Sequence, residues 1–114
     1  MLVLFDHSVP APLAAYLRGH QVTKAKDRGW DRLANGDLLA EAARAGYDVL
    51  LTADNNMRYQ QNLAGRRLAL VVLSTPQWSR VRLHIDAITA ALDAATPGSY
   101  SEVKILPLPD RLLI

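Results

Sequence analysis

Acidic side chains set directly behind apolar runs are the residues of this chain best placed to do chemistry. Leu2-Val3-Leu4-Phe5 runs into Asp6, and Val49-Leu50-Leu51-Thr52-Ala53 runs into Asp54. A third acid, Asp37, stands in Asn35-Gly36-Asp37-Leu38-Leu39, where a helix begins. Carboxylates gathered at one place repel each other and retain protons unless a cation neutralises them. An all-oxygen set suits a hard divalent ion, Mg²⁺ or Mn²⁺. Such an ion generates hydroxide from water and stabilises charge on a phosphate undergoing displacement. Glu41, one turn after Asp37, is either a further donor or the partner of Arg44.

Each acid also has a plain structural reading. Asp6 and Asp54 are residues of the type that caps helices, and a first-turn acid such as Asp37 is favoured by free N–H groups and the helix dipole. Around them, Lys24, Lys26 and Arg28 form a basic loop on the expected site edge that either seats RNA phosphates or is an ordinary solvated charge run. Asn55 and Asn56 follow Asp54, with Gln60 and Gln61 beyond. Their amides can hold a metal or a sugar hydroxyl but neutralise no charge, and Asn55 is the candidate substrate contact. His7 is a phosphate or metal ligand or an incidental loop residue. Trp30 either stacks on a base or packs its loop onto the core. Arg66 and Arg67 fall at the opposite edge, with no role in the site.

The elements that must position these residues follow from the pattern. Leu2–Phe5, the run ending at Asp54, and Leu68–Leu73 are near-continuous apolar runs, as strands covered on both faces require. His20–Thr23 is a weaker edge strand, and Val103–Leu106 a final one confined to an edge or tail by Pro107 and Pro109. Helices are expected from Pro10 to Gly19 with an apolar stripe of Leu13, Tyr16 and Leu17, and from about Asn35 to Gly46. A short polar helix should cover Asn55–Leu63. A long helix from Pro76 should bury Val81, Ile85, Ile88, Leu92 and Ala95. Strands alternating with helices predict an α/β fold, a three-layer sandwich with a mainly parallel five-stranded sheet, over residues 1–106, with 107–114 as a tail. Strand order 2-1-3-4-5 places the topological switch point between strands one and three, so Asp6 and Asp54 would face one crevice beyond the strand ends.

At 114 residues the chain is one domain. No apolar run reaches the roughly 20 residues of a membrane span, and nothing at the N-terminus suggests secretion. The absence of cysteine excludes disulfides and thiolate chemistry, and is compatible with the cytoplasm. A net charge of +2 leaves nucleic-acid binding open without pointing to it.

The apolar strand into Asp6 with Pro10 four residues later, the Gly-Asp-Leu-Leu helix start at Asp37, and Leu51-Thr52-Ala53-Asp54 together resemble the PIN-like nuclease superfamily. The match is to its small stand-alone bacterial subgroup, designated a domain of unknown function, and covers roughly residues 1–75. The resemblance implies a metal-dependent endoribonuclease, often the toxin of a toxin–antitoxin pair. Asp6, Asp37 and Asp54 would hold Mg²⁺ or Mn²⁺, RNA would be the substrate and an antitoxin protein the partner. Two departures stand out: no fourth acid follows Asp54, and the chain is shorter than a typical PIN toxin. They motivate an alternative, a catalytically decayed PIN-like module that binds a protein. A phospho-acceptor receiver domain shares the strand order and an aspartate after strand three, but needs adjacent acids where Asp6 is followed by His7. The apolar tail residues Leu106, Leu108, Leu112, Leu113 and Ile114 pack on their own domain or on a second copy in a homodimer.

Overall fold

The computed structural model describes residues 1–60 and 66–107. Its centre is a five-stranded, all-parallel sheet of β1 (Leu2–Phe5), β2 (Gln21–Lys24), β3 (Val49–Thr52), β4 (Ala69–Leu73) and β5 (Tyr100–Val103). The order is β2-β1-β3-β4-β5, so the chain reverses its direction of winding between β1 and β3, as the sequence predicts. The helices are α1 (Asn35–Arg44), α2 (Trp78–Val81) and α3 (Ile85–Ala94), with 3₁₀ turns at Ala11–Tyr16, Ala25–Arg28, Asn55–Gln60 and Arg82–His84. No helix among the described residues is long and apolar enough to cross a membrane.

Side chains alternate across each strand, and the core divides accordingly. Val3, Phe5, Val49, Leu51, Val71 and Leu73 pack with Leu13, Leu17, Val81, Ile88 and Leu92. Leu4, Leu50, Leu70 and Val72 pack with Leu38, Leu39, Ala42 and Met57. Both sets are buried, which is why β1, β4 and all of β3 but Thr52 are apolar at successive positions instead of at every second one. The parallel register pairs Phe5 with Leu51, and the Asp6 N–H continues it to the Leu51 carbonyl at 3.1 Å. Asp6 is thereby set beside Thr52.

α1 ends as its sequence predicts. Gly46 takes a left-handed φ of +87°, the Tyr47 N–H reaches back to the Ala42 carbonyl (3.1 Å) and the Gly46 N–H to the Ala43 carbonyl (3.2 Å). This pair of bonds satisfies carbonyls that a helix end otherwise leaves bare.

Three elements differ from expectation. The segment after β1 is 3₁₀, not α: Pro10 and Pro12 cannot donate to a helical ladder, and only Leu13 and Leu17 of the expected stripe are buried, Tyr16 lying exposed beside Trp78 (ring centroids 5.6 Å apart). The long helix starts at Trp78 and is interrupted at Arg82–His84, where the His84 ring Nδ1 lies 3.1 Å from the Arg80 carbonyl, an acceptor of the helical ladder. Its apolar stripe nonetheless faces the core throughout. The last strand is Tyr100–Val103, three residues earlier than its apolar run suggests. β4 ends at Leu73, so beyond Val103 the main chain is held by side chains: Ser74 Oγ accepts from the Ile105 N–H at 2.8 Å, and Arg80 donates to the Ile105 carbonyl at 2.7 Å. The expected helix beyond Gln60 and the tail residues 108–114 fall outside the described residues.

Leu51 is fully buried on the central strand. Leu51→Ala should cost about 2–5 kcal/mol of unfolding free energy, measured by urea denaturation; a loss well under 1 kcal/mol would mean that β3 is not central.

Candidate functional site

Asp6 is 3% exposed and its carboxylate is held from three directions. Oδ1 accepts from the Ser8 N–H at 2.8 Å and from the Ser8 hydroxyl, and Oδ2 accepts from the Thr52 hydroxyl. The Ser8 hydroxyl oxygen in turn accepts from the Ala53 N–H (2.9 Å), and the Thr52 hydroxyl oxygen from the Asp54 N–H (3.1 Å). The loop after β1 and the loop after β3 are therefore tied by a closed set of short-range hydrogen bonds. Asp6 caps no helix: Pro10, ahead of the 3₁₀ turn, has no side-chain cap.

Asp54 is half-buried and does cap, its Oδ1 accepting from the Asn56 N–H at 2.9 Å at the start of the 3₁₀ turn. Its Oδ2 faces the amide of Asn35 at 3.4 Å, which links β3 to the first turn of α1. Asp6, Thr52 and Asp54 continue the parity of Leu4 and Leu50, whose side of the sheet α1 covers.

The structure thus sets Asp6 and Asp54 just beyond the ends of the neighbouring strands β1 and β3, joined through the Thr52 hydroxyl, which meets the Asp6 carboxylate and the Asp54 N–H. Asp37 is exposed in the first turn of α1. Among the described residues, no group of three or more acidic or histidine side chains is gathered closely enough to hold a metal ion. Glu41 is engaged by Arg44, and that guanidinium holds its carboxyl below the usual value. Lys24 and Lys26 line a cavity of about 100 Å³ together with Asp6 and His7. Arg28 turns away from this cavity: its guanidinium lies 4.5 Å from the Trp30 ring centroid and 5.8 Å from that of Tyr47, and it donates to the Tyr47 hydroxyl at 3.3 Å. Trp30 packs against the α1-side core, so its structural reading holds. Asn55 lines a separate cavity of about 340 Å³ with Ser74, Glu102 and Lys104, beyond the ends of β4 and β5.

The chemistry of the donor set can be tested against a divalent ion. Among the described residues no hydrogen-bond donor to the nearly buried Asp6 carboxylate carries charge, and the cations in the lining of its cavity are Lys24 and Lys26. Oδ1 is filled by two donors, whereas Oδ2 receives one and keeps a lone pair. Asp54 keeps acceptor capacity on Oδ2. A Mg²⁺-type ion bound by one or two carboxylates and completed by water fits this set.

Sequence reasoning did not assign Ser8, Asn35 or Thr52. The signals were present: a hydroxyl two residues after Asp6, and another two residues before Asp54 at the last position of a strand. Thr52→Val preserves shape while removing the hydroxyl that bridges the two loops, and Thr52 is fully buried. It should cost about 1–3 kcal/mol, read by chemical denaturation. No change in stability would show that the bridge is unimportant. No family model, curated protein or solved structure matches this chain.

Proposed function

We propose that the chain is a PIN-like, metal-dependent ribonuclease whose centre is the Asp6–Asp54 crevice. The observation that carries this reading is the buried Asp6 carboxylate, hydrogen-bonded only by neutral donors, with Asp54 at the end of the neighbouring strand and two lysines lining the same cavity as Asp6. An ion bound there supplies a water of lowered pKa and a counter-charge for a phosphodiester.

The residues divide the work. Asp6 and Asp54 hold the cation, and Thr52 and Ser8 fix the Asp6 carboxylate in one orientation. Lys24 and Lys26 attract the nucleic-acid backbone, an effect that falls with added salt. Asn55 offers an amide to the sugar or base. Asp37 acts through water from the first turn of α1, where its charge adds to the field of the site. A role as the toxin of a toxin–antitoxin pair, neutralised by a protein partner, belongs to the same reading.

The three hydrogen bonds on Asp6 also favour a second reading. A carboxylate so fully engaged is a structural staple, as in a non-catalytic module that binds a partner protein. Calorimetry with Mn²⁺ separates the two, because the staple needs no ion.

Wild-type protein incubated with RNA and Mn²⁺ should cleave it, and Asp6→Asn and Asp54→Asn should each lower the rate about 100-fold or more. Asp37→Asn should lower it about tenfold, the scale of an outer-shell contribution. Equal cleavage by wild type and the Asp6→Asn/Asp54→Asn double variant, or no cleavage with any divalent metal, would overturn the nuclease reading.

A further inference from the structure

A broad concavity lies at the other end of the sheet. It has a volume of about 640 Å³ and opens between the last turn of α1 and the segment entering β4. Arg44, Arg66 and Arg67 line it, with Asp48 as its one acid. Ala43 and Gly46 are among its other lining residues, and an added Cβ on Gly46 would meet nothing within 4 Å. Three cations against one anion leave the lining at +2. The volume falls within the range of about 300–1,000 Å³ typical of small-molecule sites.

A helix C-terminus would ordinarily oppose an anion, since its bare carbonyls carry partial negative charge. Here those carbonyls are used. Ala42 O and Ala43 O accept from Tyr47 and Gly46, and Glu41 O accepts from the Ala45 N–H at 2.9 Å. Asp48 spends one carboxylate oxygen on the Leu2 N–H at 2.7 Å. Arg66 and Arg67 make no ion pair among the described residues, whereas Arg44 is shared with Glu41 on the helix surface. Guanidinium groups donate in a planar fork that matches phosphate oxygens, which makes a cluster of them selective for phosphate over monovalent anions.

We propose that this groove binds a compact phosphate-bearing anion, of pyrophosphate or nucleoside diphosphate size, through Arg44, Arg66 and Arg67. The site is separate from the Asp6–Asp54 crevice, at the opposite ends of the same strands, and stands whether or not that crevice is catalytic. Arg66 and Arg67 supply free guanidiniums, and Arg44 joins them by exchanging Glu41 for the ligand.

Titration calorimetry of the full chain with inorganic pyrophosphate and with ADP, at low ionic strength, tests this. Both should bind, and more weakly as salt is added. Arg66→Ala/Arg67→Ala should weaken pyrophosphate about tenfold or more, the scale of a lost charge-assisted contact. Glu41→Gln, which releases Arg44, should tighten it. Lys24→Ala/Lys26→Ala, at the other edge, should leave it unchanged. Circular dichroism confirms that each variant folds, and Glu41→Gln reads the site without removing any arginine. ADP binding well above pyrophosphate would add a nucleoside contact to the same site. Failure of both ligands to bind, equal affinity of wild type and the double arginine variant, or loss of binding in the lysine variant would overturn the proposal.

Discussion

The hydroxyl of Thr52 is the small group on which the arrangement of this molecule's functional edge depends. It donates to the Asp6 carboxylate and accepts from the Asp54 N–H, so one side chain ties that carboxylate to the main chain at Asp54. Thr52 can do this because it ends the central strand of a parallel sheet, where the register of β1 against β3 brings Asp6 alongside it. Valine would fill the same space and break both links. A polar side chain in an otherwise apolar strand is a cost to the core, offset here because the hydroxyl is used as donor and acceptor at once.

The sheet gives the molecule two chemically distinct ends. The crevice at the carboxyl ends of the strands holds Asp6 and Asp54, while the groove at their amino ends holds Arg44, Arg66 and Arg67. α1 joins them, starting at Asn35 beside Asp54 and ending at Arg44. Polarity along a parallel sheet is built in, because every strand starts at one edge and every following loop leaves from the other. Charge is distributed along the same axis in part, with Lys24, Lys26 and Lys104 bringing cations to the acidic edge.

Much of this was legible in the sequence. Apolar runs long enough only for buried strands, broken by helices, favour a parallel sheet, and handed crossovers leave few topologies, of which 2-1-3-4-5 is the one observed. Asp6 and Asp54 were readable because an acid at the end of such a run has nowhere to go but the carboxyl edge. Asp37 was not resolved by spacing alone: a helix start fixes its turn, but which way the first turn faces depends on how α1 seats on Leu4 and Leu50. The orientation of Arg28 was not legible for a related reason, since its guanidinium lies against the rings of Trp30 and Tyr47, and the second of these, 19 residues away, is a contact that no local pattern encodes. The last strand was shifted because Val103 and Ile105 are both buried in the same core, while only the first has its main chain on β4 and the second has its main chain held by the Ser74 and Arg80 side chains; apolar character records burial and not its cause.

The central claim, that the crevice held by Thr52 is a cation site, is tested most directly by nuclear magnetic resonance with Mn²⁺ as a paramagnetic probe. Substoichiometric Mn²⁺ should broaden the backbone amide signals of Ser8, Ala53, Asp54 and Asn55 before any others, and Mg²⁺ in excess should restore them. Broadening that begins instead at exposed acids such as Asp27, Asp86 or Asp93, or that spreads evenly over the surface, would contradict the account.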